Sequence, residues 1–84
     1  MGRSIKYDPS AQKQLDALEG DIHGRLLKAI GKLKNNPRPV GSKKLKGRDE
    51  YRIRVGDYRV IYRIFDDVLI VLVVRVAHRR EVYN

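Results

Sequence analysis

The sequence predicts an α+β domain in which an N-terminal strand and a two-helix hairpin pack on a mainly antiparallel four-stranded sheet. Residues 8–33 space their apolar side chains as amphipathic helices do, and the chain after residue 50 alternates apolar and polar residues between tight turns. Helices followed by a run of strands are typical of the α+β class. With 84 residues and no repeats or linkers, residues 1–84 are predicted to form one domain.

The N-terminal half is predicted to hold one strand and both helices. The strand covers residues 3–7. Asp8 before Pro9 is typical of a helix start, because aspartate caps free amide groups and proline suits the first helical position. Gly20-Asp21 is predicted to end the first helix and cap the second, which ends before Pro37. The inward positions are Ala11, Leu15, Leu18, Ile22, Leu26, Leu27, Ile30 and Leu33.

Three further strands are predicted after a loop at residues 35–42 and a basic lead-in at residues 43–47. They cover residues 51–55, 58–65 and 68–77. Both connecting turns are predicted to have two residues, Gly56-Asp57 and Asp66-Asp67, and the first has glycine where a type II′ hairpin prefers it. The face predicted to pack on the helices holds Tyr51, Ile53, Val55, Tyr58, Val60, Tyr62, Ile64, Leu69, Val71 and Val73.

The opposite face of this sheet is predicted to be half basic and half apolar. The first turn sets a register in which Arg54 faces Arg59, and facing like charges cost a few tenths to about 1 kcal/mol. A chain that keeps this pair is expected to gain an anion site from it. The apolar half is predicted to bind a protein partner, unless the N-terminal strand or a loop covers it. Its residues are Ile61, Phe65, Ile70 and Leu72.

The charge of the chain is unevenly distributed. There are 19 Lys and Arg against 10 Asp and Glu, a net charge of +9. Eight of the basic residues and three of the acidic ones lie between Lys43 and Arg63. This concentration favours a surface for a phosphate backbone over a merely solvated surface. The residues predicted to bind RNA are Lys43, Lys44, Lys46, Arg48, Arg63 and Arg80.

Several classes of protein are disfavoured by composition. Cysteine is absent, which excludes disulfides and thiolate metal sites and suits the cytoplasm, where we expect this protein. His23 and His78 are far apart and have no ligand set around them, so neither a metal nor another cofactor is predicted. The apolar run at residues 68–74 is too short to cross a bilayer, and no apolar segment follows residues 1–3, so no membrane span or signal peptide is expected.

The last predicted strand runs into a segment rich in groups that suit phosphodiester chemistry. They are His78, Arg79, Arg80 and Tyr83. RNA cleavage by its own 2′-hydroxyl needs a proton acceptor, positive charge at the phosphorane and a proton for the leaving oxygen. Guanidinium groups, including those of Arg54 and Arg59, fit the second role because they stay charged. His78 and Tyr83 remain open for proton transfer. On composition alone, a solvated basic strand end is the alternative.

Three segments resemble the RelE toxins of the RelE/ParE superfamily. They are residues 44–47, residues 51–62 with the block Gly-Asp-Tyr-Arg-Val-Ile-Tyr, and residues 75–83 with the ending His-Arg-Arg-Glu-Val-Tyr. The resemblance covers essentially the whole chain. It implies the RelE-like fold, here without the C-terminal helix that some members have after the tyrosine.

The resemblance also implies a function. Such a protein is a type II toxin, a ribosome-dependent endoribonuclease that cleaves mRNA in the A site of the 30S ribosomal subunit. The implied partners are the ribosome, mRNA and a cognate antitoxin that neutralises the toxin. Toxin and antitoxin are expected to form a hetero-oligomer, in which the antitoxin contacts operator DNA.

The resemblance carries a catalytic set onto six residues of this chain. They are Arg52, Arg54, Arg59, His78, Arg79 and Tyr83, with Arg80 as the alternative to Arg79 because the match needs a gap there. Well-known members have lysine at the positions of Arg52, Arg54 and His78, which moves the proton-acceptor role here toward His78 and Tyr83. Two alternatives stay open: a ParE-like inhibitor of DNA gyrase, which shares the fold without RNA chemistry, and a non-catalytic module that binds RNA or the ribosome.

Overall fold

A computed structural model describes residues 2–82 and contains, in that part, five strands joined in one sheet. The elements are β1 (Ser4–Tyr7), α1 (Pro9–Asp16), α2 (Asp21–Lys32), β2 (Lys43–Lys44), β3 (Tyr51–Val55), β4 (Tyr58–Phe65), β5 (Ile70–His78) and α3 (Arg79–Val82). The strand order is β1-β5-β4-β3-β2, with β1 parallel to β5 and the other pairs antiparallel. The α+β prediction is confirmed. The predicted number of strands is wrong, because the basic lead-in adds the two-residue strand β2.

The start of α1 follows the prediction, whereas the start of α2 departs from it. Asp8 caps α1, and its Oδ1 accepts a hydrogen bond from the backbone N–H of Ser10 at 3.1 Å, with Pro9 in the first turn. In α2 the capping residue is Gly20 instead of Asp21. Gly20 has φ +77°, a conformation that glycine adopts without steric cost. Asp21 consequently lies in the first turn, where its charge suits the helix dipole.

The core lies between the helices and one face of the sheet. Its most deeply buried side chains are Ala11, Leu15, Leu26, Ile30, Leu33, Val60, Tyr62, Val71 and Val73. The prediction that Leu27 points inward is wrong: it is 44% exposed, since it follows buried Leu26 by about 100° around the helix. The hydroxyl of Tyr62 donates to the carbonyl oxygen of Pro37 at 2.7 Å, and burial raises the pKa of Tyr62 to about 12. Tyr62 thereby ties the loop before β2 to the core.

The β3–β4 hairpin has the predicted register, in which Val55 faces Tyr58 and Arg54 faces Arg59. Gly56 has φ +58° while Asp57 is not in the left-handed region, as a type II′ turn requires. Residues that flank a two-residue turn exchange backbone hydrogen bonds. Arg54 and Arg59 therefore form the next, non-hydrogen-bonded pair, in which facing side chains come closest.

The β4–β5 turn is longer than predicted. Phe65 faces Ile70 instead of Val68, so the turn spans the four residues 66–69. Leu69 within it has φ +55°, which is uncommon for a residue with a branched side chain. It is 48% exposed in the turn, so the prediction that Leu69 packs against the helices is wrong. The shift is by two residues, so the alternation of faces at the start of β5 is unchanged.

A bulge in β5 changes that alternation further along. Ile61 faces Arg75 whereas its neighbour Tyr62 faces Val73, which leaves Val74 as an extra residue. Beyond the bulge, Val76 and His78 lie on the face packed against the helices, and Arg75 and Ala77 lie on the opposite face. The sequence prediction contained no bulge.

The chain beyond β5 differs from the predicted ending. It turns into the one-turn helix α3, which the sequence prediction did not contain. Four residues are too few to show helical periodicity. The helix expected to be absent would follow Tyr83, so that expectation concerns residues outside those described. Tyr83 lies outside the described residues. In residues 2–82 no helix combines the length and the apolar character that crossing a membrane requires.

The β4–β5 turn is tied to two other parts of the chain through Asp66. Its carboxylate accepts hydrogen bonds from Arg38 and Arg3, both at 3.0 Å. These two guanidinium groups hold the pKa of Asp66 below its ordinary value of 3.8. Ionised Asp66 therefore favours the folded state.

Replacing Asp66 by asparagine is expected to lower the melting temperature at neutral pH. Because the folded-state pKa is depressed, the contribution is complete above the unfolded-state pKa and is lost as the pH falls through the folded-state pKa. Thermal unfolding between pH 7 and pH 2 should therefore show the variant and the parent converging at acidic pH. Asp67→Asn, the same change one residue away, should leave the melting temperature unchanged. An equal loss in both variants would contradict this role.

Candidate nucleic-acid interface

The sheet face turned away from the helices carries a cluster of basic side chains, which we call the basic face. Its members are Lys43, Arg52, Arg54, Arg59, Arg63 and Arg75. They come from four adjacent strands, so the cluster exists only when the sheet is formed. A surface of this kind suits the phosphates of a nucleic acid.

Strand pairing arranges most of these side chains in two rows across the sheet. In one row Lys43 faces Arg52, and Ile61 separates Arg52 from Arg75. With neighbouring strands about 4.8 Å apart, the backbones of β3 and β5 are roughly 10 Å apart. That distance is of the order of one to two nucleotide steps, so a single strand crossing the sheet could meet both arginines.

The second row holds the pair on which the sequence prediction centred. Arg54 faces Arg59, and Arg59 faces Ala77, which is itself buried. Arg54 is exposed, whereas Arg59 is only 5% exposed. A guanidinium this buried supports the packing of the sheet besides any contact with phosphate.

Arg52 contributes a further sign of a binding site. Its Nε atom is buried and has no hydrogen-bond partner within the described part of the chain. Buried donors are nearly always paired in folded proteins, and an exception is explained by strain, by a functional role or by a bound water or ion. Arg3, which lies away from the basic face, has a buried Nε of the same kind. Arg52 lies in the row next to the Arg54–Arg59 pair.

Arg75 belongs to the basic face, although the sequence prediction did not select it as a site residue. Uninterrupted alternation from Val73 would have placed Arg75 among the helices. The bulge at Val74 moves it to the opposite face, where its side chain is exposed. A charged residue at an apparent core position of a strand was the signal that could have revealed the bulge.

His78 is not brought together with Arg54 and Arg59. It faces Tyr58 on the helix side of the sheet, and the two rings meet edge to face with centroids 5.4 Å apart. Its Nδ1 accepts a hydrogen bond from the backbone N–H of Arg80 at 3.3 Å. The imidazole therefore holds the start of α3.

Arg79 is held at the end of the basic face. Its backbone N–H donates to the carbonyl oxygen of Asp57 at 2.8 Å, which anchors α3 to the turn between Arg54 and Arg59. The side chains of Arg79 and Arg80 are both exposed. Of the predicted catalytic set, four arginines thus gather near one end of the sheet.

Three predicted RNA-binding residues lie in β2 and in the loop that follows it. Lys44 is in β2 opposite Tyr51, on the side of the sheet that packs on the helices, while Lys46 and Arg48 are in the loop. Lys44, Lys46 and Arg48 are exposed along a shallow depression. Glu50 forms an ion pair with Arg48 at 3.6 Å, and Asp49 forms one with Arg63 at 3.7 Å. Exposed ion pairs of this kind are weak, so a phosphate can compete for either arginine.

The predicted apolar partner surface is only partly available. Ile61 is 4% exposed, so it offers little surface, while Phe65, Ile70 and Leu72 are half-buried. The guanidinium of Arg63 lies over the Phe65 ring, 5.2 Å from its centroid. Strand β1 extends the sheet beside β5 and does not cover this face.

Metal ligands do not converge in the part of the chain that the structure describes. Among residues 2–82, no three His, Asp or Glu side chains lie together in a way that could hold a metal ion.

Alanine at Arg54 and at Arg59 is expected to change stability in opposite directions. Arg54→Ala removes an exposed side chain and relieves a like-charge pair, so the melting temperature should stay constant or rise. Arg59→Ala removes a buried side chain and should cost about 1–3 kcal/mol. Thermal unfolding of both variants under the same conditions tests this. A loss in Arg54→Ala as large as that in Arg59→Ala would contradict the register.

Comparison with known proteins agrees with the resemblance noted in the sequence. A sequence profile of the family described as "ParE toxin of type II toxin-antitoxin system, parDE" matches residues 5–83. A putative RelE-like toxin of Escherichia coli is 34% identical over 100% of this chain and 93% of its own length. Toxin RelG of Mycobacterium tuberculosis is 31% identical over 100% of this chain and 99% of its own.

A solved structure extends the likeness to the fold. The archaeal RelE–RelB complex from Pyrococcus horikoshii superposes with a TM-score of 0.83 at 29% identity, covering 94% of this chain and 97% of the matched chain. With the profile and both relatives spanning nearly the whole chain, this protein belongs to the RelE/ParE superfamily of toxins from type II toxin–antitoxin systems.

Proposed function

We propose that this toxin is an endoribonuclease that cleaves mRNA in the ribosomal A site through attack by the RNA's own 2′-hydroxyl. The observation that carries the proposal is the Arg54–Arg59 pair at the end of the basic face, with the backbone of Arg79 anchored to the turn between them. A guanidinium group stays charged and can donate two parallel hydrogen bonds to the oxygens of one phosphate. Such groups suit the extra negative charge that develops on a phosphorane.

The reaction divides into charge stabilisation and proton transfer. The 2′-oxygen forms a bond to the neighbouring phosphorus while the bond to the 5′-oxygen breaks, leaving a 2′,3′-cyclic phosphate and a 5′-hydroxyl. One proton leaves the 2′-hydroxyl and another reaches the 5′-oxygen. We assign the arginines to stabilising the negative charge of the phosphorane and not to moving either proton.

We do not assign either proton transfer to His78. Its Nδ1 accepts from the backbone of Arg80 and its ring packs on Tyr58, on the side of the sheet opposite to Arg54. We therefore give His78 the role of holding α3 and Arg79 in place. Tyr83, outside the described residues, and the ribosome itself remain the candidates for moving the protons.

The ribosome is expected to be necessary for rapid cleavage. In-line attack requires the 2′-oxygen, the phosphorus and the 5′-oxygen to be aligned, and orientation of this kind contributes several kcal/mol to a reaction. Among the described residues, the basic face also has no acid–base pair poised for the two proton transfers. Free RNA should accordingly bind with strong salt dependence and be cut poorly.

A cognate antitoxin is the proposed protein partner. The Pyrococcus horikoshii structure that this chain resembles is a complex of RelE with RelB. The net charge of +9 would speed association with an acidic antitoxin. We expect a toxin–antitoxin hetero-oligomer in which the antitoxin contacts operator DNA.

Inhibition of DNA gyrase is the second candidate, because the profile that matches residues 5–83 is described as a ParE toxin. A gyrase inhibitor has no need for several guanidiniums gathered around one phosphate. The two functions separate in a supercoiling assay with purified gyrase, where the endoribonuclease proposal predicts no inhibition.

Arg54→Ala is expected to lower mRNA cleavage at least a hundredfold, the usual effect of removing a group that stabilises transition-state charge. Primer extension on mRNA from cells expressing the toxin should show codon-phased cuts that disappear in this variant. Lys13→Ala removes an equal charge from an exposed site on α1 and should retain the cuts. Undiminished cleavage by folded Arg54→Ala would remove this residue from the site.

His78→Asn is expected to keep most of the activity that His78→Ala loses. Asparagine can accept the hydrogen bond from the Arg80 backbone but cannot carry a proton between reacting atoms. Single-turnover cleavage of ribosome-bound mRNA by the two variants distinguishes the roles. If both variants are equally slow, His78 acts in proton transfer and the positioning role is refuted.

A further inference from the structure

A second basic surface lies between the outer edge of β3 and helix α2. It is an open groove of about 480 Å³, closed at one end by the loop before β2 and at the other by the Gly56 turn. Four cationic residues line it: Arg25, Lys28, Lys32 and Arg54. Among the described residues that line the groove, none is acidic, and no ion pair within residues 2–82 involves any of the four cations.

The floor of this groove is apolar. It is lined by Ala29 on α2, Pro39 and Val40 in the loop, and Ile53 and Val55 on β3. The side chain of Val40 is fully exposed. A nucleic acid backbone would gain from the cations but not from the apolar floor, whereas a polypeptide with acidic and apolar side chains would gain from both.

The wall formed by β3 has unpaired backbone. In the described chain β2 faces only Tyr51 and Arg52. The backbone N–H of Leu45 donates to the carbonyl oxygen of Glu50 at 2.9 Å. Because hydrogen-bonded and non-hydrogen-bonded pairs alternate along an antiparallel ladder, the backbone N–H and C=O of Arg52, two residues further, also point toward β2. Arg54, two residues further, directs its N–H and C=O to the same edge, beyond the end of β2. An edge of this kind accepts an added strand.

We infer that this groove binds an extended acidic segment of the antitoxin, which pairs with the free edge of β3 at Arg54. The inference rests on the antitoxin partnership in the proposed function. Acidic side chains of the added strand meet Lys28 and Lys32, and its apolar side chains cover exposed Val40 and half-buried Ala29. Because the strand pairs at Arg54, whose side chain belongs to the basic face, antitoxin binding and the proposed RNA site meet at one residue.

The test uses the full-length toxin and the antitoxin encoded beside its gene. Affinity is measured for the parent, for Lys28→Glu/Lys32→Glu, and for Lys13→Glu/Lys34→Glu, which makes the same change in net charge at exposed positions outside the groove. Exchange of the Arg54 backbone amide with solvent is followed by NMR in the free toxin and in the complex. Melting temperatures establish that both double variants are folded.

The groove variant is expected to bind the antitoxin at least tenfold more weakly than the parent, with less than threefold loss in the control. The Arg54 amide should exchange at least tenfold more slowly in the complex. Equal losses in both variants, an unprotected Arg54 amide in a formed complex, or protection by a short uridine-rich RNA instead of the antitoxin would each overturn the inference. Failure of the parent toxin to bind the antitoxin would also refute the partnership proposed above, so the two failures are distinguishable.

Discussion

The like-charge pair of Arg54 and Arg59 is the constraint around which this small sheet is organised. The type II′ turn at Gly56 places the two residues opposite each other in a pair whose side chains lie close, and repulsion there costs up to about 1 kcal/mol. Domains of this size are stable by only about 5–15 kcal/mol. The same register puts Val60 and Tyr62 into the core, and a slip of one residue would exchange them with the arginines. The core and the proposed anion site therefore lie on opposite faces of one strand pairing, and neither can form without the other.

The bulge at Val74 decides which groups share the basic face. By inserting one residue into β5, it turns Arg75 toward the arginines of β3 and β4 and turns His78 toward the helices. The basic face thus gains a cation and loses an imidazole. In the described part of the chain, this face therefore carries guanidiniums suited to phosphate charge and no imidazole suited to proton transfer. This composition suits the proposed enzyme, for which the ribosomal complex would supply alignment of the reacting atoms.

Sequence reasoning succeeded where a local rule determines the structure. The Gly56-Asp57 turn, the Asp8 cap and the alternation from Tyr51 to Ile64 each depend on residues close together in the chain, and each was predicted correctly. The errors arose where distant parts of the chain decide. A two-residue strand such as β2 exists only because β3 lies beside it, and four-residue α3 is held by the carbonyl oxygen of Asp57.

The same distinction between local and distant determinants applies to the candidate site. Arg52, Arg54 and Arg59 could be placed together from the hairpin alone, because one turn sets their register. Arg75 and His78 could not, because their faces depend on a bulge against the partner strand. The groove beside α2 was also missed, since it is formed by a helix, a loop and a strand edge that are far apart in the sequence.

The central claim is that the basic face, and not the groove beside α2, binds the RNA backbone. Its most direct test is NMR of the arginine side-chain Nε–H groups while a short single-stranded RNA is added to the toxin. The account predicts that the signals of Arg52, Arg54, Arg59 and Arg75 shift together, while those of Arg3 and Arg38, which pair with Asp66, do not. Shifts confined to Arg25 in the groove, or equal shifts at every exposed arginine, would contradict it.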